Sequence, residues 1–329
     1  MELVDRYGRV INYLRISVTD RCNFRCVYCM PAEGIPGKLH TEILRYEEIT
    51  EIVRIASELG IHRIRLTGGE PLVRKNLSDL IGLIAALPGI EDISLTTNAF
   101  LLAEQAGALA TAGLRRVNIS LDTLNEARFS RLTRGGSLAQ VLRGIKAAQD
   151  AGMSPIKINS IMIRGVNDDE LESHALLTMD HDWQVRFIEL MPLENSQDWG
   201  ADFPKEGERY VSIQEMRDRL AALNLMEMFE SNGNGPARVY RIPGGKGTIG
   251  FISPLGEHFC QTCNRLRLTA DGSLRSCLLN NIEIPIRDVL RAGEDIRPYF
   301  LQAVARKPEG HLLSTGNLQS NRKMAEIGG

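Results

Sequence analysis

Leu14-Arg15-Ile16-Ser17-Val18-Thr19-Asp20-Arg21-Cys22-Asn23-Phe24-Arg25-Cys26-Val27-Tyr28-Cys29 passes from an alternating segment straight into a loop of three cysteines. Alternation of apolar and polar residues reads as a β-strand over Leu14 to Thr19. The loop then sits at the strand's C-terminal end, where α/β barrels keep their active sites. Spacings of three and two residues give one metal cluster three thiolates and no fourth. Iron-sulfur clusters normally take four, so one iron is left for something that is not protein. Structural zinc is the plainer alternative, but it takes four ligands in paired spacing and this loop has no histidine.

Outward from this loop, short apolar runs alternate with longer amphipathic ones as far as about Leu190. Strands are expected at Leu14 to Thr19, His62 to Thr67, Ile93 to Thr97, Arg116 to Leu121, Pro155 to Met162 and Val185 to Leu190. Helices are expected at Tyr46 to Leu59, Leu77 to Leu87, Leu101 to Ala112, Ser137 to Ala151 and Asp168 to Thr178. The pattern is α/β, an open, partial TIM-type barrel of about six βα units. A full barrel has eight strands, so a smaller C-terminal domain is expected to close the gap. The division falls at residues 1–193 and 194–329, with a linker over Glu194 to Tyr210, a helix near Ile213 to Leu223 and short strands from Met226 to Leu268.

The 329 residues suffice for these two parts, and 43% are hydrophobic, as in an ordinary globular core. Lysine and arginine total 39 against 41 acidic residues, which argues against a nucleic-acid binder. The N-terminus lacks a secretory signal and no apolar run reaches the roughly 20 residues of a membrane span. A cytoplasmic location is expected, and the six cysteines then read as metal ligands before disulfides.

Parallel strands usually read as continuous Val, Ile and Leu. Here Arg15, Arg65, Thr96, Ser120, Lys157 and Arg186 interrupt the six strands in turn. One register per strand directs them into a common interior, where buried cations require an anion such as a polyphosphate. The alternative places them outside, paired with helix carboxylates.

Cys260, Cys263 and Cys277 form a second group of three. Cys-x2-Cys is also a zinc half-site, and His258 is near, though only two residues before Cys260. A second three-cysteine cluster is favoured, and Arg265 and Arg267, two apart on a strand, share a face beside it. Elsewhere, Thr67-Gly68-Gly69-Glu70-Pro71 ends the second strand with glycines that let a ligand or a backbone approach; a plain turn is the other reading.

The chain resembles the radical S-adenosylmethionine superfamily, with Cys-x3-Cys-x2-Cys, an aromatic residue (Tyr28) before the last cysteine, and the Gly-Gly-Glu motif. Nearly end to end, it is similar to the GTP-cyclising family that opens molybdenum cofactor biosynthesis. Arg-Ile-Ser-Val-Thr-Asp-Arg-Cys, Leu-Thr-Gly-Gly-Glu-Pro-Leu, Arg-Phe-Ile-Glu-Leu-Met and Phe-Cys-Gln-Thr-Cys-Asn-Arg-Leu-Arg carry this likeness, with the terminal Gly328-Gly329. The resemblance implies two 4Fe-4S clusters, held by Cys22, Cys26 and Cys29 and by Cys260, Cys263 and Cys277. It implies S-adenosylmethionine contacts at Tyr28, Gly69, Ser120 and Met191, and GTP contacts at Arg15, Arg65, Thr96, Lys157, Arg265, Leu266 and Arg267. Arg186 joins these from the strand pattern, and Arg265, Arg267, Gly328 and Gly329 are expected to serve catalysis.

The implied reaction converts GTP to (8S)-3′,8-cyclo-7,8-dihydroguanosine 5′-triphosphate. A 5′-deoxyadenosyl radical takes hydrogen from C3′, and C3′ attacks C8. A reductant protein and a downstream cyclic pyranopterin monophosphate synthase are the implied partners, with no nucleic acid or membrane; a homodimer is left open. Two alternatives stand beside it: a radical enzyme that modifies peptides and uses an auxiliary cluster, and a non-enzymatic zinc or electron-carrier protein. Gly245-Lys246-Gly247-Thr248-Ile249-Gly250 fits a dinucleotide-binding pattern by letter, but it leads into no helix and reads as a hairpin. For the Gly-Gly end, a frayed tail is the ordinary reading.

Overall fold

A computed structural model describes residues 2–191, 199–228, 235–257, 259–311 and 322–328. Six strands expected in the first half form in order: β1 (Tyr13–Ser17), β2 (Arg63–Thr67), β3 (Asp92–Thr97), β4 (Arg116–Ser120), β5 (Ile156–Met162) and β6 (Gln184–Glu189). They pair in parallel, each with the next. Between them run α1 (Tyr46–Glu58), α2 (Leu77–Ala85), α3 (Leu102–Thr111), α4 (Glu126–Thr133), α5 (Leu138–Asp150) and α6 (Leu171–Asp180). Of these, α4 was not expected: it is short and polar, and is started by the Asn125 side chain accepting from the Arg128 N–H.

The strands alternate strictly. Leu14, Ile16, Ile64, Leu66, Ile93, Leu95, Val117, Ile119, Ile156, Ile158, Val185 and Phe187 are buried in the core against the helices. Their polar neighbours face the other way, which is why these parallel strands do not read as continuous apolar runs.

The C-terminal half does more than cover a gap. After α7 (Ile213–Arg219) come β7 (Met226–Met228), β8 (Arg238–Arg241) and β9 (Thr248–Ile252), then β10 (Arg265–Leu268), β11 (Ser273–Arg275) and β12 (Glu283–Pro285). β9 pairs in parallel with β6, and β10 in parallel with β1. The sheet is continuous in the order β12-β11-β10-β1-β2-β3-β4-β5-β6-β9-β8-β7. Eight adjacent strands are therefore parallel, with an antiparallel hairpin strand or two beyond each end. The Gly245 to Gly250 segment lies in the β8–β9 hairpin, as its sequence context indicated. Three short helices follow: α8 (Arg287–Arg291), α9 (Arg297–Ala305) and α10 (Met324–Ile327).

Glu48 joins the two halves. Its carboxylate accepts from the Arg45 N–H at 2.7 Å at the start of α1 and from Arg291 Nε at 2.8 Å on α8. Burial alone would raise its pKa, but the hydrogen bonds from Arg291 and Arg45 outweigh burial and bring it down to about 2. A depressed carboxylate stabilises the fold above its unfolded pKa, and that contribution is lost as pH falls toward 2. Glu48→Gln is expected to lower stability by about 2 kcal/mol at pH 7. Urea unfolding should show the gap from wild type closing as pH falls below the ordinary carboxylate range; a gap independent of pH would refute this.

Candidate functional site

The loop after β1 packs on the loop after β2. A Cβ on Gly68 would stand 2.5 Å from the Thr19 carbonyl oxygen, and one on Gly69 2.6 Å from the Arg21 carbonyl carbon. The Gly69 N–H donates to Thr19 O and the Glu70 N–H to Arg21 O, both at 2.8 Å. The glycines are thus demanded by the cysteine loop itself. Glu70 is buried and accepts from Leu72 N, Thr97 Oγ1 and Asn98 N at 3.0, 2.7 and 2.7 Å. Desolvation brings its pKa up to about 7.

Cys22, Cys26 and Cys29 are free thiols and lie close enough to influence one another's charge. Burial pushes Cys22 up to about 12 and Cys29 to about 11, and Cys26 well above the ordinary thiol value. Among the described residues no three His, Cys, Asp or Glu side chains converge on a single ion position. Three free thiols within one eight-residue loop have the chemistry to hold three irons of a four-iron cube, one thiolate to each. A cavity of about 410 Å³ opens against Cys22, lined also by Asp20, Arg21, Arg25 and Met30. Tyr28 donates to Asp122 Oδ2 at 2.5 Å, and Asp122 also accepts from the Ile161 N–H, so this tyrosine fastens the loop to β4 and β5. Ser120 ends β4 and Met191 follows β6, both half-buried at the same end of the sheet.

Strand register explains how scattered cations meet. One row across the sheet reads Arg275, Arg267, Arg15, Arg65, Ser94, Arg116. A second reads Thr96, Asn118, Lys157, Gln184, Thr248, and a third Ser120, Asn159, Arg186, Gly250. Gly250 makes room for its neighbour: a Cβ there would press on Arg186 Cγ at 3.1 Å. Leu266 faces the opposite way, into the core, so any contact it makes is through its main chain.

The carboxylates on this face are already engaged. Asp92 is held by Arg116, with Nε to Oδ1 at 2.9 Å, and Glu283 at the sheet edge by Arg275 and Arg322. Arg15, Arg65, Lys157, Arg186, Arg265 and Arg267 share this interior, where Arg65 donates to Ser94 Oγ at 3.2 Å and Arg186 to Gln184 Oε1 at 2.7 Å. Desolvation and neighbouring guanidinium groups bring Lys157 down to about 6, Arg186 to about 9 and Arg267 to about 10. Thr96 Oγ1 and the Tyr13 hydroxyl are buried without a hydrogen-bond partner among the described residues. A bore lined by buried and half-buried cations and by unanswered hydroxyls can accept a polyanion.

The second cysteine group lies at the other end of the bore. Because β10 runs parallel to β1, Cys260 and Cys263 precede it at the N-terminal edge of the sheet, opposite the first loop. Burial tends to raise Cys263, but Arg265 and Lys307 overcome it and bring the thiol down to about 6. Cys260 is raised, chiefly by burial. His258 lies outside the described residues, as does Gly329.

The C-terminal segment enters this chain's own bore. The Ala325 N–H hydrogen-bonds Cys29, and Arg267 donates to the Gly328 carbonyl at 2.7 Å. Gly328 has φ +66°, and a Cβ there would lie 2.7 Å from Thr67 Cγ2 and 3.2 Å from Ser17 Cβ. Arg322 anchors the segment to Asp271 and Glu283 at 2.9 and 2.6 Å. The structure also adds residues the strand pattern passed over. Arg116 and Asn118 follow the same alternation that selected Ser120 and could have been read from it, whereas Asp122 and Lys307 carry no local signal.

The chain is similar to known proteins over nearly its whole length. The radical SAM superfamily matches residues 16–178 and Molybdenum Cofactor Synthesis C matches residues 183–313. A GTP 3′,8-cyclase of Pelotomaculum thermopropionicum is 49% identical, covering 99% of this chain and 99% of that protein. One of Petrotoga mobilis is 46% identical, covering 99% and 100%. In fold, the chain is similar to the crystal structure of Streptococcus suis SuiB bound to S-adenosylmethionine, with TM-score 0.58 at 15% identity, over 91% of this chain and 69% of that one.

Proposed function

The chain belongs to the GTP 3′,8-cyclase family of the radical SAM superfamily, and from that premise we propose a division of labour for its bore. It converts GTP to (8S)-3′,8-cyclo-7,8-dihydroguanosine 5′-triphosphate, the first step of molybdenum cofactor biosynthesis. Residues 1–193 carry the cofactor end. There Cys22, Cys26 and Cys29 hold a 4Fe-4S cluster, and Tyr28, Gly69, Ser120 and Met191 line S-adenosylmethionine. When bound, these groups supply a 5′-deoxyadenosyl radical. Residues 194–329 complete the substrate end, where Cys260, Cys263 and Cys277 hold a second cluster beside the guanine.

The observation that carries this reading is the strand register that brings six cations into one interior. Arg15, Arg65, Lys157 and Arg186 take the triphosphate, Thr96 offers its hydroxyl, and Leu266 contributes main chain. Arg265 and Arg267 orient the nucleotide between the two ends, and with the Gly328-Gly329 tail they hold ribose C3′ toward C8 and exclude water. Among the described residues no helix is long and apolar enough to cross a membrane. On the same reading the enzyme is cytoplasmic, draws its electron from a reductant protein and passes its product to cyclic pyranopterin monophosphate synthase.

The test is anaerobic reconstitution with iron and sulfide, then S-adenosylmethionine, reductant and one nucleoside triphosphate at a time. GTP should give cyclised product and raise 5′-deoxyadenosine above the level seen with ATP. Equal 5′-deoxyadenosine from both, with no cyclised nucleotide, would end the assignment and revive the peptide-modifying alternative.

A further inference from the structure

The two cysteine groups sit in opposite electrostatic settings. Glu70 and Asp122 lie beside the first and disfavour its thiolates. Its sulfur atoms receive main-chain N–H groups, from Phe24 to Cys22 at 3.4 Å and from Ala325 to Cys29. The second group instead has Arg265 and the ammonium of Lys307.

Lys307 follows α9 and is 2% exposed. Its Nζ donates to Cys263 Sγ at 3.4 Å, to Arg265 O at 2.8 Å and to Ser276 O at 2.9 Å. Those three bonds use all its donors and tie the Cys260–Cys263 arm to the strand that leads to Cys277. Burial brings its pKa below the ordinary lysine value, and the groups that oppose this and favour its charge are the sulfur atoms of Cys263 and Cys277; Arg9, which donates to the Cys260 carbonyl at 2.6 Å, faces it as a like charge. A buried ammonium whose counter-charges are two sulfurs is stabilised by an anion assembled on them. Three thiolates on an oxidised four-iron core are such an anion, and one added electron makes it more so.

We propose that Lys307 is the positioning residue of the second cysteine group, and that its charge raises the reduction potential of the cluster held there. Hydrogen bonds to sulfur and local charge are established determinants of cluster potential. Reduction by one electron places a further negative charge beside the ammonium, so removing the ammonium makes reduction harder. This rests on the reading that Cys260, Cys263 and Cys277 hold a cluster. Iron and sulfide content of the chain carrying Cys22→Ala, Cys26→Ala and Cys29→Ala tests that reading separately, since it should retain one cluster.

In that background and in the intact chain, the second cluster is titrated with dithionite and followed by electron paramagnetic resonance. Lys307→Gln keeps donors and loses charge; Lys307→Arg keeps both. A lower midpoint in Lys307→Gln, with Lys307→Arg near wild type, is expected. A wild-type midpoint in Lys307→Gln would overturn the proposal. If Lys307→Gln holds no cluster, retention of iron by Lys307→Arg supports the role of charge, and loss of iron from both refutes it.

Discussion

Gly328→Val is expected to lose GTP cyclisation by at least about 100-fold while cleavage of S-adenosylmethionine persists, a misplacement of about an ångström being enough for such a loss. Gly328 has left-handed backbone and lies against Ser17 and Thr67, the interior residues one step along β1 and β2 from Arg15 and Arg65. A β-branched side chain fits neither that conformation nor that space. The turn must move, and the Gly328 carbonyl then leaves Arg267. Arg322 still anchors the segment through Asp271 and Glu283, so the Ala325 contact with Cys29 survives. Chromatography of 5′-deoxyadenosine and cyclised nucleotide from one reaction reads both activities. Cyclisation at the wild-type rate, or equal loss of both, would refute this role for the tail.

Single-cysteine variants separate the two ends of the bore. Cys29→Ala should abolish cleavage of S-adenosylmethionine, because the thiolates of the first loop have no substitute nearby. Cys263→Ala should leave that cleavage and lose GTP affinity and product. The groups lie at opposite edges of the parallel sheet, with three rows of side chains between them. Isothermal titration with GTP, with 5′-deoxyadenosine counted alongside, distinguishes the outcomes. Equal loss of cleavage in both variants would mean that the clusters do not divide the work.

Much of this was legible because its cause is local. The first cysteine loop occupies eight consecutive residues, and period-two alternation placed Arg15, Arg65, Thr96, Lys157 and Arg186 on one face before any register was known. What stayed hidden depends on distant pairing. Nothing near Arg265 announces that it will lie beside Tyr13, nor does Thr248 announce Gln184. The expected C-terminal domain is present, and only the long-range pairing of β9 and β10 shows that it extends the parallel sheet at both edges and sets the second cysteine group at the far end of the bore. Lys307 is a lone lysine in sequence and acquires meaning only when α9 delivers it to Cys263. α10 has four residues and no strong periodicity; its place is set by what Arg322, Ala325 and Gly328 touch.

The order of the sheet bears on how the chain is made. β1 and β6 are the outer strands of the first six, and each receives its neighbour only from residues 248–268. While a ribosome is still adding those residues, the emerging half presents two unpaired parallel edges, the kind of surface that recruits other chains. Both edges are covered only once β9 and β10 have been made and have paired with β6 and β1.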